Sequence, residues 1–171
     1  ETRLPFVAHR GEQLQLQVHL LPSDRIPAGF VHIPAGLTMV GSAGDESVRR
    51  EFYEAAPLHQ THVDDFLIAR HEVTFADWIT YLQHLSLQEQ AARLPKIVSN
   101  LGTADTANLK LERRGDRWHL AMAPITRRYS AWEGDFIHYD DRSTNEKQDW
   151  LQMPVVGISP VDVEAYAAWL A

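Results

Sequence analysis

At Thr74, Ser86 and Ser159 a hydroxyl residue followed three positions later by an acid stands before apolar residues at helical spacing, which marks where this chain can begin a helix and so limits what else it can be. Thr74 stands as N-cap with Asp77 at the third helical position, where its carboxylate can answer the free amides of the first turn. Phe75, Trp78, Ile79, Leu82 and Leu85 then recur on one helical face. Ser86 with Glu89 repeats the pattern and opens a shorter helix that carries Leu87, Ala91 and Leu94 and is stopped by Pro95. Ser159-Pro160-Val161-Asp162 opens the last, with proline at the first helical position; its spacing turns Val163, Tyr166 and Leu170 inward, with Trp169 beside them.

Elsewhere the apolar residues follow a period of two or no period. Leu14, Leu16, Val18 and Leu20 alternate with polar residues, which predicts a half-buried strand. Arg10-Gly11-Glu12 would turn it back on a first strand around Phe6 to Ala8. Pro22 to Gly29 reads as a connector. Phe30-Val31-His32-Ile33 and Leu37-Thr38-Met39-Val40 form two short strands on either side of Pro34-Ala35-Gly36. The polar stretch Ser42 to Pro57 is a surface loop with one helical turn around Val48 to Tyr53, and His62 to Ile68 reads as one strand. Leu109 and Leu111, then Gly115-Asp116, then Trp118, Leu120 and Met122 describe a hairpin. The rest of the stretch from Lys96 to Gln152 is expected to be long loop. Short strands, few helices and much irregular chain together point to an α+β domain.

The 171 residues, 44% of them hydrophobic, suffice for one domain or most of one. A formal charge of -7, spread over both signs, argues against nucleic acid or anionic lipid as partner. The chain has no cysteine, which removes disulfides, thiolate metal sites and thiol nucleophiles together. No apolar run is long enough to span a bilayer, and Glu1-Thr2-Arg3 does not open a signal peptide. Glu1 is not an initiator methionine and Ala171 falls inside a helical pattern, so a fragment of a longer protein is expected.

Segments in a known order carry a resemblance. Phe30 to Gly36, continuing to Met39-Val40-Gly41-Ser42, is similar to the opening segment of the formylglycine-generating enzyme, or sulfatase-modifying factor, family. Pro57-Leu58-His59-Gln60-Thr61-His62-Val63, with Phe66, Ile68 and Glu72-Val73-Thr74, resembles its second segment. Pro154-Val155-Val156-Gly157-Ile158-Ser159, with Asp162, Ala165, Tyr166 and Trp169, resembles its third. The departures are Ala35 where a second glycine is usual, Val40 inside the Met-Gly-Ser motif, and a long interval from Leu94 to Leu151.

The resemblance implies a loop-rich α+β fold related to C-type lectins, incomplete here, with residues 1–29 as a β leader or linker and 30–171 as the N-terminal part of the domain. The family's catalytic cysteine pair and calcium sites would lie in the half that follows, so no catalytic, cofactor-binding or metal residue carries over. Copper and calcium enter only if that half resembles the active enzymes. Such a half-domain would expose apolar faces of the helix from Ser159, for which the missing C-terminal half or a second copy of the chain is the expected partner. The leader ending in Ile26-Pro27-Ala28-Gly29-Phe30 also resembles segments that join bacterial serine/threonine kinase domains to a domain of this family. No kinase motif is present in the chain itself.

Trp118, Tyr129, Trp132, Phe136 and Tyr139 gather aromatics among Arg127, Arg128 and Asp135 in the weakly patterned stretch. They read either as a peptide- or carbohydrate-binding surface or as anchors pinning a long loop to the core. His59, His62 and His71-Glu72 could be assembled into a metal cluster, although the family reading makes His59 and Glu72 structural. Arg114-Gly115-Asp116 spells an adhesion tripeptide but sits where a turn needs Gly-Asp. Asp140-Asp141 with Asn145 and Glu146 lacks the EF-hand spacing, and Ser159 is accounted for as a helix cap.

Two functions follow. The first is a noncatalytic recognition or sensory module within a larger bacterial signalling protein. The second is the scaffold half of a formylglycine-generating oxidase whose cysteines lie outside this chain.

Overall fold

The computed structural model describes residues 2–4, 6, 10–53, 55–98, 107–124 and 127–170. The chain forms two compact units, 1–71 and 72–171. Within the first, β1 (Phe30–Ile33) pairs antiparallel with β4 (Phe66–Ala69), and β2 (Gly36–Val40) pairs antiparallel with β3 (His59–Val63). The strand expected from His62 to Ile68 is therefore two, divided at Asp64-Asp65. Pro34 and Ala35 make the matching corner between β1 and β2, because proline cannot donate to a ladder.

The strand expected over Leu14 to Leu20 does not form. Thr2 bridges His32 in parallel and the Arg3 amide donates to the His32 carbonyl at 3.0 Å, so the second edge of β1 is already taken. Leu14, Leu16, Val18 and Leu20 remain exposed. Val7 and Ala8, in the expected first strand, lie outside the described residues. Within the expected loop, α1 (Glu46–Val48) runs into a π-helical turn at Arg49–Tyr53. The Arg49 guanidinium closes this excursion by donating to the Ala55 carbonyl at 2.7 Å.

The second unit begins with α2 (Phe75–Gln83) and α3 (Leu87–Ala92). Both caps form as the sequence predicts: the Asp77 amide donates to Thr74 Oγ1 at 3.2 Å and the Thr74 amide to the Asp77 carboxylate at 2.9 Å. Ser86 and Glu89 repeat the exchange. A four-stranded antiparallel sheet follows in the order β5-β6-β7-β8, from β5 (Lys96–Val98), β6 (Ala107–Arg114), β7 (Arg117–Met122) and β8 (Tyr129–Trp132). The β6-β7 hairpin turns at Gly115-Asp116, where Gly115 has φ +61°. The stretch expected to be loop also contains β9 (Phe136–His138) and β10 (Lys147–Asp149), paired with each other, and a 3-10 turn at Trp150–Gln152. Their three-residue length leaves no room for a detectable period.

α4 (Pro160–Leu170) closes the unit. Of the residues expected to face inward, Tyr166 is buried, whereas Val163 and Leu170 are about half exposed and Trp169 is partly exposed. In α3, Leu87 is exposed as well. The core is built from Phe75, Trp78, Ile79 and Leu82 of α2, Leu111 of β6, Trp118 and Leu120 of β7, Ile137 of β9, and Trp150. Trp78, Trp118 and Trp150 are fully buried. Each removes enough apolar surface to supply roughly 4–6 kcal/mol gross. Two of them also satisfy their indole N–H groups: Trp78 donates to the Arg93 carbonyl at 3.2 Å and Trp150 to the Trp132 carbonyl at 3.1 Å.

Candidate functional site

The five aromatics of the middle stretch do not make one surface. Trp118 and Tyr139 lie in the core, 1% and 7% exposed. Trp132 faces His119 across the β7-β8 ladder, ring centroids 4.6 Å apart, with the Arg117 guanidinium 5.7 Å from its centroid. Alternation along the strands puts this group on the side of the sheet opposite Trp118, Leu120 and Ala131. Tyr129 packs on Tyr139 with centroids 4.9 Å apart, and Phe136 is 54% exposed.

Tyr129 and Phe136 do come together, at an open hollow of about 570 Å3 that Arg127, Arg128, His138 and Asp141 also line. The hollow sits where β8 and β9, joined through a turn in which the Asp135 amide donates to the Trp132 carbonyl at 2.9 Å, fail to pair with one another. Because the Tyr139 amide donates to the Glu146 carbonyl at 2.7 Å, alternation along β9 turns the main-chain groups of Phe136 and His138 away from β10. On the other strand the Glu133 amide donates to the Trp118 carbonyl at 2.8 Å, so those of Ser130 point away from β7. Two short strand edges thus border the hollow.

Its charges are mixed. Arg127 is ion-paired with Asp141, and this carboxylate holds the guanidinium pKa above its ordinary value. Arg142 lies 3.9 Å above the Tyr139 ring, where burial pushes the phenol up against the opposing pull of the guanidinium. Sequence reasoning found Tyr129 and Phe136 by composition but missed His138. The edges of β8 and β9 were invisible because neither strand has a recognisable period.

The other candidates resolve into scaffold. His59 is exposed, and its Nδ1 lies 2.8 Å from the Pro57 carbonyl. His62 Nδ1 is 3.8 Å from the Asp64 carboxylate, and Glu72 is exposed. Arg114 is engaged by Glu112 at the end of the hairpin, and Ser159 Oγ is held by Asp162 at 2.6 Å. Among the described residues no group of three His, Cys, Asp or Glu side chains could hold a metal ion.

The segments that carried the family resemblance meet through their main chains. In the first unit the Ser42 amide donates to the Ala56 carbonyl at 3.0 Å, and the Leu58 amide to the Ser42 carbonyl at 3.1 Å. In the second, the Phe75 amide donates to the Met153 carbonyl at 3.0 Å and the Val155 amide to the Val73 carbonyl at 2.8 Å, so Val73-Thr74 and Pro154-Val155 run side by side. The family described as sulfatase-modifying factor enzyme 1-like domain matches residues 19–171. The chain belongs to that family. It matches no curated protein.

For a member of the sulfatase-modifying factor family, the residues present do not fit the metals that active relatives imply. A thiolate pair for copper is absent because the chain has no cysteine, and the acids at Asp140, Asp141 and Glu146 do not converge on a point that could hold calcium. Asp141 is taken by Arg127, and the main chain between Asp141 and Glu146 turns through Asn145 at φ +54°. No chemical step is derived through either metal.

Proposed function

We propose that this chain is a noncatalytic recognition module of the sulfatase-modifying factor family, with the hollow between β8 and β9 as its ligand surface. What supports the reading is family membership over residues 19–171 in a chain that itself has no cysteine, taken together with the leader ending in Ile26-Pro27-Ala28-Gly29-Phe30. The hollow suits an extended peptide better than a sugar. Strand edges can take main-chain hydrogen bonds, exposed Phe136 beside Tyr129 can take one apolar side chain, and Arg128 and His138 can read polar neighbours. The setting we favour is a larger bacterial signalling protein, on the resemblance of the Ile26 to Phe30 leader to segments that follow serine/threonine kinase domains. Val161, Val163 and Leu170, exposed along α4, favour further protein as a neighbour there: either a C-terminal half of the domain or a second copy.

The test is selection from a random peptide library on the immobilised chain, followed by titration of the selected peptide against wild type, Phe136→Ala and Tyr129→Ala. Each variant should weaken binding by about tenfold, the loss of roughly 1.4 kcal/mol expected for an anchor contact. Selected peptides that bind both variants as tightly as wild type, or a library that yields no binder, would remove the hollow from the account.

A second reading, a scaffold half for a formylglycine-generating oxidase, is favoured by the same family match. It requires cysteines supplied from outside these residues, and is tested by the oxidation assay that closes the Discussion.

A further inference from the structure

The first unit holds a buried polar side chain that nothing above explains. His32 lies mid-strand in β1, 2% exposed, between the ladder to β4 on one side and Thr2-Arg3 on the other. Its carbonyl is used by the Arg3 amide, but neither ring nitrogen makes a hydrogen bond. The Asp65 carboxylate, itself largely exposed, lies 3.5 Å from Nε2. Buried imidazoles with both nitrogens unanswered are rare, because water satisfied them before folding and nothing replaces it.

This imidazole borders a hollow of about 280 Å3 whose other walls are Asp65, Gln17, His19, Leu20 and Leu21, with Pro34 and Ala35. The volume is at the small end for ligand sites. We propose that the hollow is a binding site for a small, neutral, polyhydroxylated molecule the size of a single sugar ring, recognised by His32 and Asp65.

The donor and acceptor inventory selects that class. A neutral imidazole presents one N–H donor and one bare acceptor nitrogen. A hydroxyl group gives and accepts, so neighbouring hydroxyls satisfy both nitrogens. An ammonium or guanidinium only donates and would leave the ring N–H unanswered. A carboxylate or phosphate only accepts, and would bring a second negative charge beside Asp65 where, among the described residues lining the hollow, there is no lysine or arginine and, besides His32, the one other ionisable side chain is the imidazole of His19. Asp65 and Gln17 take further hydroxyls, while Leu20, Leu21 and Pro34 cover the C–H face that such molecules also carry. The imidazole is closed off from bulk solvent, so one wall must give on binding. Gln17, His19, Leu20 and Leu21 form that wall, in a stretch with no strand ladder to break.

The experiment is a titration of the 171-residue chain, labelled with 15N at histidine, with D-glucose and myo-inositol as probes and with acetate and ethylammonium as charged controls. The polyols should move the His32 ring resonances saturably and the charged probes should not. Ala35→Leu, which fills the hollow from its rim, should abolish the shift while leaving the His32 ring signals in place, and His32→Phe should abolish binding while Phe136→Ala leaves it unchanged. If His32→Phe does not fold, Ala35→Leu decides. The proposal is overturned if no polyol gives a saturable shift, if the charged probes act equally, if Ala35→Leu binds as wild type does, or if the ring nitrogens contact only a trapped water. Because the β8-β9 hollow is not involved, failure here leaves the peptide reading standing.

Discussion

Tyr166 lies over Trp78 with ring centroids 5.3 Å apart and planes 25° from parallel, so that one aromatic stack fastens α4 to α2. Tyr81 meets both rings edge-on, at 5.2 Å from Trp78 and 5.4 Å from Tyr166. Offset and edge-on contacts of this kind add to the stability that burial alone supplies. Tyr166→Ala should cost about 3–5 kcal/mol. Tyr166→Phe, which keeps the ring, should cost under about 1.5 kcal/mol, and Val161→Ala on the exposed side should be close to neutral. Urea unfolding followed by tryptophan fluorescence gives all three, and an alanine variant as stable as wild type would mean that α4 is not held by this stack.

Asp162 sits at the start of the same helix and ties it to α3 by accepting from Arg93 at 2.7 Å. Burial pushes its carboxyl up, but the Ser159 hydroxyl and amide and the Arg93 guanidinium together outweigh burial and hold it below its ordinary value. A carboxyl depressed on folding binds its proton more readily in the unfolded chain. Its stabilising contribution is therefore complete above the unfolded value near 4, and is lost as pH falls through the folded value. Unfolding free energies measured from pH 6 downward should fall below about pH 4 in wild type and fall less steeply in Asp162→Asn. Glu89 and Glu112, also lowered by hydrogen bonds from Ser86 and Lys110 respectively, leave a residual slope. Identical slopes in the two proteins would contradict this assignment.

Gly41, the glycine of the Met-Gly-Ser resemblance, has φ +101°, and a side chain there would press on the main-chain carbonyls of Ala56 and Pro57, the former at 2.5 Å. Both neighbours are backbone and cannot swing aside. Gly41→Ala should destabilise the first unit by about 3 kcal/mol. It should also speed hydrogen exchange at the Ser42 and Leu58 amides, which hold this approach together. Unchanged exchange at both would show that the motif glycine is not required by the turn.

What the sequence disclosed and what it hid divide along physical lines. Thr74, Ser86 and Ser159 announced their helices because a cap is a local bargain between residues three apart. The β6-β7 hairpin was legible because Gly115-Asp116 and the flanking alternation agree. Leu14 to Leu20 misled, since a period of two says a strand is possible but not that another strand will pair with it, and among the described strands none does. The aromatics from Trp118 to Tyr139 were visible as a cluster, yet only long-range pairing decides that Trp118 points into the core, Trp132 to the other side of the sheet, and Phe136 into a hollow. His32 gave no signal, because nothing local marks an imidazole that will be buried without a partner.

The proposal at the centre of this account is that the family scaffold recognises and does not oxidise. Mass spectrometry of a sulfatase-type cysteine peptide, incubated in air with copper and with the native-length protein that carries this chain, tests it most directly. The account predicts a peptide whose cysteine is recovered unchanged after prolonged incubation. An aldehyde in place of the thiol, formed only when the protein is present, would contradict it.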